Sequence, residues 1–275
     1  MRISLCNEVL GGMSLQAQCA LAASLGYDGL EIAPFTLADD PLTLDTAAIR
    51  GIRKTVEDAG LAVTGLHWLL VAPKGLSITD PDPPTRRRTI EAMKRLCFMC
   101  AELGGRYLVH GSPAQRRLPD RDIHAAKGYA LEAFRKAAQA AEDAGVIYCL
   151  EPLGRTETNF VNTVAEAIGV VEGIASTNFR TMIDCSAAGQ TETESVPDLI
   201  RQWLPSGMIA HIQVNDPNRK GPGQGEMDFA PILAALKQHG YDGDIGVEPF
   251  IYEPDGPGVA EHSIRYLRDL LGKLA

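Results

Sequence analysis

Short apolar runs rich in β-branched residues alternate along the chain with longer stretches whose apolar residues recur every three or four positions. The first kind reads as buried strand and the second as amphipathic helix. Strands are expected at Arg2–Cys6, Asp28–Ile32, Ala62–His67, Tyr107–His110, Val146–Leu150, Phe179–Asp184, Met208–Val214 and Ile245–Glu248. Helical stripes lie between them, such as Ile49, Ile52 and Val56, or Leu131, Phe134, Ala138 and Ala141. Ser14, Asp45 or Thr46, and Asn162 or Thr163 stand where N-caps belong, and Gly26 where a left-handed C-terminal residue does. A Pro-rich stretch from Pro73 to Pro84 reads as a long loop of the kind that often covers or lines a site. Strict strand–helix alternation implies a parallel sheet with right-handed crossovers. Eight units over 1–275 predict a single domain, a closed (β/α)8 TIM barrel. An open doubly wound sheet fits less well, because no G-x-G-x-x-G follows the first strand and no Walker A is present.

Composition narrows the partners. The 275 residues are 45% hydrophobic and 22% charged, ordinary for a globular chain with a real core. A net charge of −9 argues against nucleic acid as the main partner. The one dense basic run, Arg86-Arg87-Arg88, reads as a solvated first turn of a helix. No leader-like or membrane-spanning apolar segment is evident, and six scattered cysteines suit a reducing cytoplasm. Cys97 and Cys100 have redox-like spacing, but they lie in a helical pattern with no second pair and read as buried thiols.

The chemistry is concentrated at the C-terminal ends of the strands, where barrels of this kind carry their sites. Two strands end in Glu-Pro, at Glu151-Pro152 and Glu248-Pro249. The proline stops the ladder and leaves a carboxylate at the lip of a buried strand. Asp184 and His211 end the sixth and seventh strands, so four polar side chains come from consecutive strands about 4.8 Å apart. Three anionic groups so close repel strongly. A shared divalent ion held by Glu151, Asp184, His211 and Glu248 would remove that repulsion, with Mn2+ the first choice and Mg2+ or Co2+ the alternatives. Asn7, Glu8 and Glu31 also stand at strand ends. His67 and His110 are candidate substrate contacts. His124, His239 and His262 fall on helices away from the mouth.

At these residues the chain resembles the xylose isomerase-like sugar isomerases and epimerases, and within them the D-tagatose and D-psicose 3-epimerase type. The resemblance rests on Glu151-Pro-Leu-Gly-Arg-Thr-Glu157, on Met182-Ile-Asp184, on His211 with Asn218-Arg219 and Pro222-Gly-Gln-Gly225, and on Val247-Glu-Pro-Phe250. It implies that Glu151 and Glu248 are metal ligands and acid/base catalysts that epimerise a keto-sugar through an enediolate. It implies sugar contacts from Glu157 and Arg219 and, by analogy, a homo-oligomer. Two departures stand out. The family carries a substrate-binding histidine where this chain has Ala187, and a second histidine often seen two residues after His211 is here Gln213. The segment holding Arg219 is two residues longer than usual. An inosose- or dehydroshikimate-type dehydratase using the same metal site is the alternative. An endonuclease IV-like activity would need more histidines and a basic surface.

Overall fold

The computed structural model describes residues 1–274. Eight parallel strands close into a barrel in sequence order: β1 (Arg2–Cys6), β2 (Gly29–Ile32), β3 (Ala62–Leu66), β4 (Tyr107–His110), β5 (Ile147–Leu150), β6 (Phe179–Asp184), β7 (Ile209–Val214) and β8 (Asp244–Val247). The ring of helices is α1 (Leu15–Leu25), α2 (Thr46–Asp58), α3 (Pro83–Leu103), α4 (Ile123–Ala144), α5 (Val164–Ile174), α6 (Cys185–Thr191), α7 (Val196–Trp203), α8 (Phe229–Gln238) and α9 (Gly256–Lys273). The barrel expected from the alternation is therefore present. The short helix α6 was not foreseen, because Asp184 both ends β6 and caps α6, accepting from the Ala187 amide at 2.6 Å.

Strand alternation divides the barrel side chains into two sets. Outward residues such as Ile3, Leu5, Leu30, Tyr148, Phe179 and Ile212 join the apolar faces of the helices in one large core. Inward residues Tyr107, Val109, Cys149 and Met182 form a smaller cluster inside the barrel. The seam between β1 and β8 is closed at its lower end by a bidentate bridge from Arg2 to Asp244, at 2.8 and 3.0 Å. Two-point contact of this kind fixes register as well as charge.

The caps read from sequence form. Ser14, Asp45 and Thr163 side chains accept from the amides of Ala17, Ala48 and Glu166, and Gly26 takes φ +90°. All six cysteines are buried free thiols. Arg86, the first of the basic run, lies over the Tyr129 ring and donates to the carbonyls of Asp80 and Pro81 at 2.8 Å, while Arg88 holds the Gly75 carbonyl. The run thus ties the loop after β3 to α3. That loop is packed down rather than free: Leu69, Leu70, Leu76 and Ile78 are buried, and Leu70, Ile78 and Thr79 bond to Ser112, Gln115 and Arg117. Among the described residues no helix is long and apolar enough to cross a membrane.

Gly65 on β3 carries a packing requirement. A Cβ there would lie 2.6 Å from the Tyr107 carbonyl oxygen and run into the Tyr107 ring. Gly65→Ala is expected to destabilise the chain by about 1–3 kcal/mol, as overpacking of a dense core does. Urea unfolding monitored by circular dichroism would show it, and an unchanged midpoint would contradict this packing.

Candidate active site at the barrel mouth

Glu151, Asp184 and Glu248 follow the inward face of β5, β6 and β8 to the C-terminal lip. Each is at least nine-tenths buried, and each offers an oxygen within 4.8 Å of the others. Burial, with Glu248 and Asp184 as neighbours, pushes the Glu151 carboxyl well above its usual range. Burial and Glu248 push Asp184 up to about 8, and burial raises Glu248 against the pull of His67. The cause is the same throughout: low dielectric and like charge both penalise the ionised form.

Asp184 and Glu248 are held from behind by hydrogen bonds. Asp184 Oδ2 accepts from Asn215 Nδ2 at 2.8 Å, while the same Asn215 amide donates to the Glu248 carbonyl at 2.9 Å. Glu248 Oε1 meets His67 Nδ1 at 2.9 Å and accepts from Trp68 Nε1 at 2.8 Å, and Oε2 has no partner among the described residues. Glu151 lies against Gly111, where any side chain would run into its carboxylate. The guanidinium of Arg116 is wholly buried and acts on both Glu151 and Glu157. It donates through Nη1 to the His110 carbonyl at 3.3 Å, with Nε and Nη2 unpartnered among the described residues. Burial lowers its pKa to about 10 against the pull of those two carboxylates.

His211 is not brought into this group. Its Nε2 meets Glu31 Oε2 at 3.1 Å, its Nδ1 has no partner among the described residues, and its ring stacks on Tyr107 with centroids 4.0 Å apart. The register explains the difference. A shift between Thr181 and Met182 aligns His211 with Met182, and Asp184 with Gln213. Gln213, the next inward residue of β7, therefore occupies the level at which the sequence pattern had put His211. Its Nε2 donates to Glu31 Oε1 at 3.0 Å, and its Oε1 is buried without a partner among the described residues. Glu31, also bonded by the Tyr107 hydroxyl at 3.1 Å, stays below the usual carboxylate range; burial raises it, but His211 and Tyr107 outweigh that.

The other expected contacts divide. His67 reaches the carboxylates; burial lowers its pKa, but Cys6, Glu8 and Glu248 together raise it well above the ordinary imidazole value. His110 faces the other way. It packs edge-on against Phe134 of α4, and its Nδ1 meets the Tyr148 hydroxyl at 2.7 Å, in the layer between barrel and helices. Burial drops its pKa to about 3, and its Nε2 is buried without a partner among the described residues. His124 and His262 are exposed and His239 is half-buried, all on or beside helices. Glu157 and Arg219 do come together above the mouth, Nη1 to Oε1 at 3.6 Å. Arg219 lies over the Phe250 ring at 4.6 Å and its carbonyl accepts from the amides of Phe250 and Ile251, joining the loops after β7 and β8. Phe35, Trp68 and Phe250 form an aromatic wall, with centroids 6.3 and 6.1 Å apart.

Trp68, Asn215 and Arg116 are site residues that the sequence reading passed over, and Gln213 entered it only as a departure from the family pattern. Period two from His211 points to Gln213 and Asn215, so that signal was present. Trp68 and Arg116 lie in loops that carry no period.

Comparisons with known proteins give the family. A family model described as a xylose isomerase-like TIM barrel matches residues 19–270. A D-psicose 3-epimerase from Ruminiclostridium cellulolyticum is 30% identical over 83% of this chain and 76% of its own length. An L-ribulose 3-epimerase from Mesorhizobium japonicum is 29% identical over 87% of this chain and 76% of its own. Among solved structures, D-psicose 3-epimerase from Clostridium cellulolyticum H10, determined with D-tagatose, superposes with a TM-score of 0.83, covering 98% of this chain and 99% of that one at 22% identity. The chain belongs to the xylose isomerase-like TIM barrel family, and the curated relatives just described are ketose 3-epimerases.

Proposed function

We propose that this chain is a divalent-cation-dependent epimerase of a ketose or related keto-sugar, with Glu151 and Glu248 as the acid/base pair. The observation that carries the reading is the meeting of these two buried glutamates with Asp184 within 4.8 Å. Anions that close are tolerable when protonated or when they share a cation. The donor chemistry fits a cation: three carboxylates and the open Gln213 Oε1 make an all-oxygen set suited to Mn2+ or Mg2+, with Co2+ an alternative. In this reading Gln213 takes the position first given to His211. A cation bound there supplies positive charge against the oxyanion that develops when a proton leaves the carbon beside a carbonyl.

The protein groups do the rest. Glu151 and Glu248 stand on β5 and β8 and address a sugar between them from two sides, so one removes the C3 proton and the other returns one to the opposite face. His67 and Trp68 fix Glu248 through Oε1, which leaves Oε2 to face the substrate. Arg116 beside Glu151 and Glu157 offsets their charge. Glu157 and Arg219 bind sugar hydroxyls at the rim, and Trp68, Phe35 and Phe250 shield the reacting face from water. Ala187 leaves one sugar contact of the 3-epimerase type unmade, so the ketose preference differs from that of enzymes with a histidine there. The dehydratase alternative is not favoured, since the curated relatives described above are 3-epimerases.

The test strips metal with EDTA, restores Mn2+, and offers D-psicose, D-tagatose and L-ribulose in deuterated water. Epimer formation with deuterium at the carbon beside the carbonyl is the expected result. Glu151→Gln should lower turnover by roughly 100-fold or more, the usual size of an acid/base contribution, while sugar binding persists. Absence of both metal dependence and exchange with any keto-sugar would sink the proposal.

A second prediction concerns stability without metal. Asp184 titrates near 8 in the folded chain and near 4 when unfolded, and Glu151 and Glu248 are raised as well. The folded state then binds more protons than the unfolded one, so stability falls as pH rises through that window. Thermal melts in EDTA should show the midpoint falling between about pH 5 and 8. Mn2+ should restore it most at pH 8, and Asp184→Asn should flatten the slope. A midpoint in EDTA that holds steady or rises over this range would contradict the electrostatic account.

A further inference from the structure

On the β1 and β3 side of Glu248 a second set of donors converges. Cys6 Sγ, a Glu8 carboxylate oxygen, a His67 ring nitrogen and a Glu248 carboxylate oxygen all lie within 4.8 Å of one another. Cys6 and His67 have no exposed surface, and Glu248 has 2%. Glu8 lies at the rim with 14% of its side chain exposed, which gives the cluster an entry path.

The hydrogen-bond accounting within this cluster does not close. His67 Nε2, Glu8 Oε2 and Glu248 Oε2 are all buried without a hydrogen-bond partner among the described residues. His67 Nε2 and Glu8 Oε2 come within 2.9 Å of each other, yet not in the alignment a hydrogen bond needs. Unpaired buried polar atoms are costly and uncommon in native structures. Gln213 Nε2 reaches Cys6 Sγ only at 4.0 Å, and the sulfur's other polar neighbour is the His67 ring.

We propose that Cys6, Glu8, His67 and Glu248 form a second cation site, for a borderline-soft divalent ion such as Zn2+ or Co2+, adjoining the three-carboxylate position and sharing Glu248 with it. The donor set selects the ion. One sulfur, one imidazole nitrogen and two carboxylate oxygens make a four-ligand set of the kind that tetrahedral zinc takes, whereas the oxygen-only set on the other side suits harder ions. Glu248 would serve both positions through Oε2, its one oxygen without a partner among the described residues. Binding displaces the Cys6 thiol proton and the His67 Nε2 proton to solvent, because the thiolate and the neutral imidazole are the ligand forms. The inference goes beyond the epimerase reading and does not require it.

Cobalt reports the two positions separately, because only a thiolate ligand gives the near-ultraviolet sulfur-to-cobalt charge-transfer band. The full-length chain, stripped with EDTA and dialysed, is titrated with Co2+ and followed by absorbance and by metal analysis. Two ions per chain and a charge-transfer band are expected. The band should vanish in Cys6→Ser, and its apparent affinity should fall at least tenfold in Glu8→Gln. Should Cys6→Ser fail to fold by circular dichroism, Glu8→Gln decides, since the rim residue can change without disturbing the core. No band at saturating Co2+, an undiminished band in a folded Cys6→Ser, or an unshifted Glu8→Gln titration would overturn the site. Metal-dependent epimerisation with one ion per chain and no band overturns this inference alone. A cobalt–thiolate band in a chain without epimerase activity supports it and counts against the epimerase reading alone.

Discussion

Three carboxyl groups forced to share a dry space at the barrel lip set the terms for everything around them. Glu151, Asp184 and Glu248 cannot all ionise there unaided, and the surrounding residues are arranged to manage that charge. Asn215 spans from Asp184 to the backbone of Glu248. His67 and Trp68 bind one oxygen of Glu248. Arg116, a cation buried completely, is tolerable only because Glu151 and Glu157 lie close to it. Asn215, His67 and Trp68 fix the direction of Asp184 and Glu248 as well as tempering their charge, and direction is what a proton-transfer pair requires.

Much of this was legible in the sequence because barrel strands announce their ends. Glu151-Pro152 and Glu248-Pro249 mark the lip directly, since proline cannot extend the ladder. Asp184 follows from the apolar run before it. Glu157 and Arg219 came separately, as sugar contacts implied by motif resemblance, and the structure brings the two within 3.6 Å. Inter-strand register was not legible. His211 and Gln213 both face inward on β7, and which of them reaches the lip depends on a shift between Thr181 and Met182 on the neighbouring strand. Parity misled in the same way at His110. The pairing of Val109 with inward Cys149 turns His110 outward, to Phe134 and Tyr148, and no local pattern in Tyr107–His110 carries that information.

The loops obey a different logic. Trp68 reaches Glu248 from a residue with φ +52°, and Arg219 lies over Phe250 from one with φ +70°. Non-glycine residues seldom take these angles, and they persist only where surrounding contacts hold them. Here the contacts are visible: the Pro-rich loop after β3 is bonded to the segment 112–117, and the Arg219 carbonyl holds two amides of the loop after β8. The Pro-rich stretch from Pro73 to Pro84, which reads in sequence as a loop that covers or lines a site, thus packs down in the loop that also carries the indole of Trp68.

His211 and Gln213 become intelligible together once Glu31 is considered. Glu31 is a fully buried carboxylate directly below the site, and three donors, from Tyr107, His211 and Gln213, keep it ionisable. His211 is therefore committed through Nε2 to a charge inside the barrel. Gln213 is committed through its amide nitrogen to the same charge, and this decides which way the amide points. Reversing it would set its oxygen against the Glu31 carboxylate, so the nitrogen stays down and Oε1 remains the open atom. Burying an acid beneath the site, where it looks like a liability, is what orients a neutral oxygen in the layer that Asp184 shares.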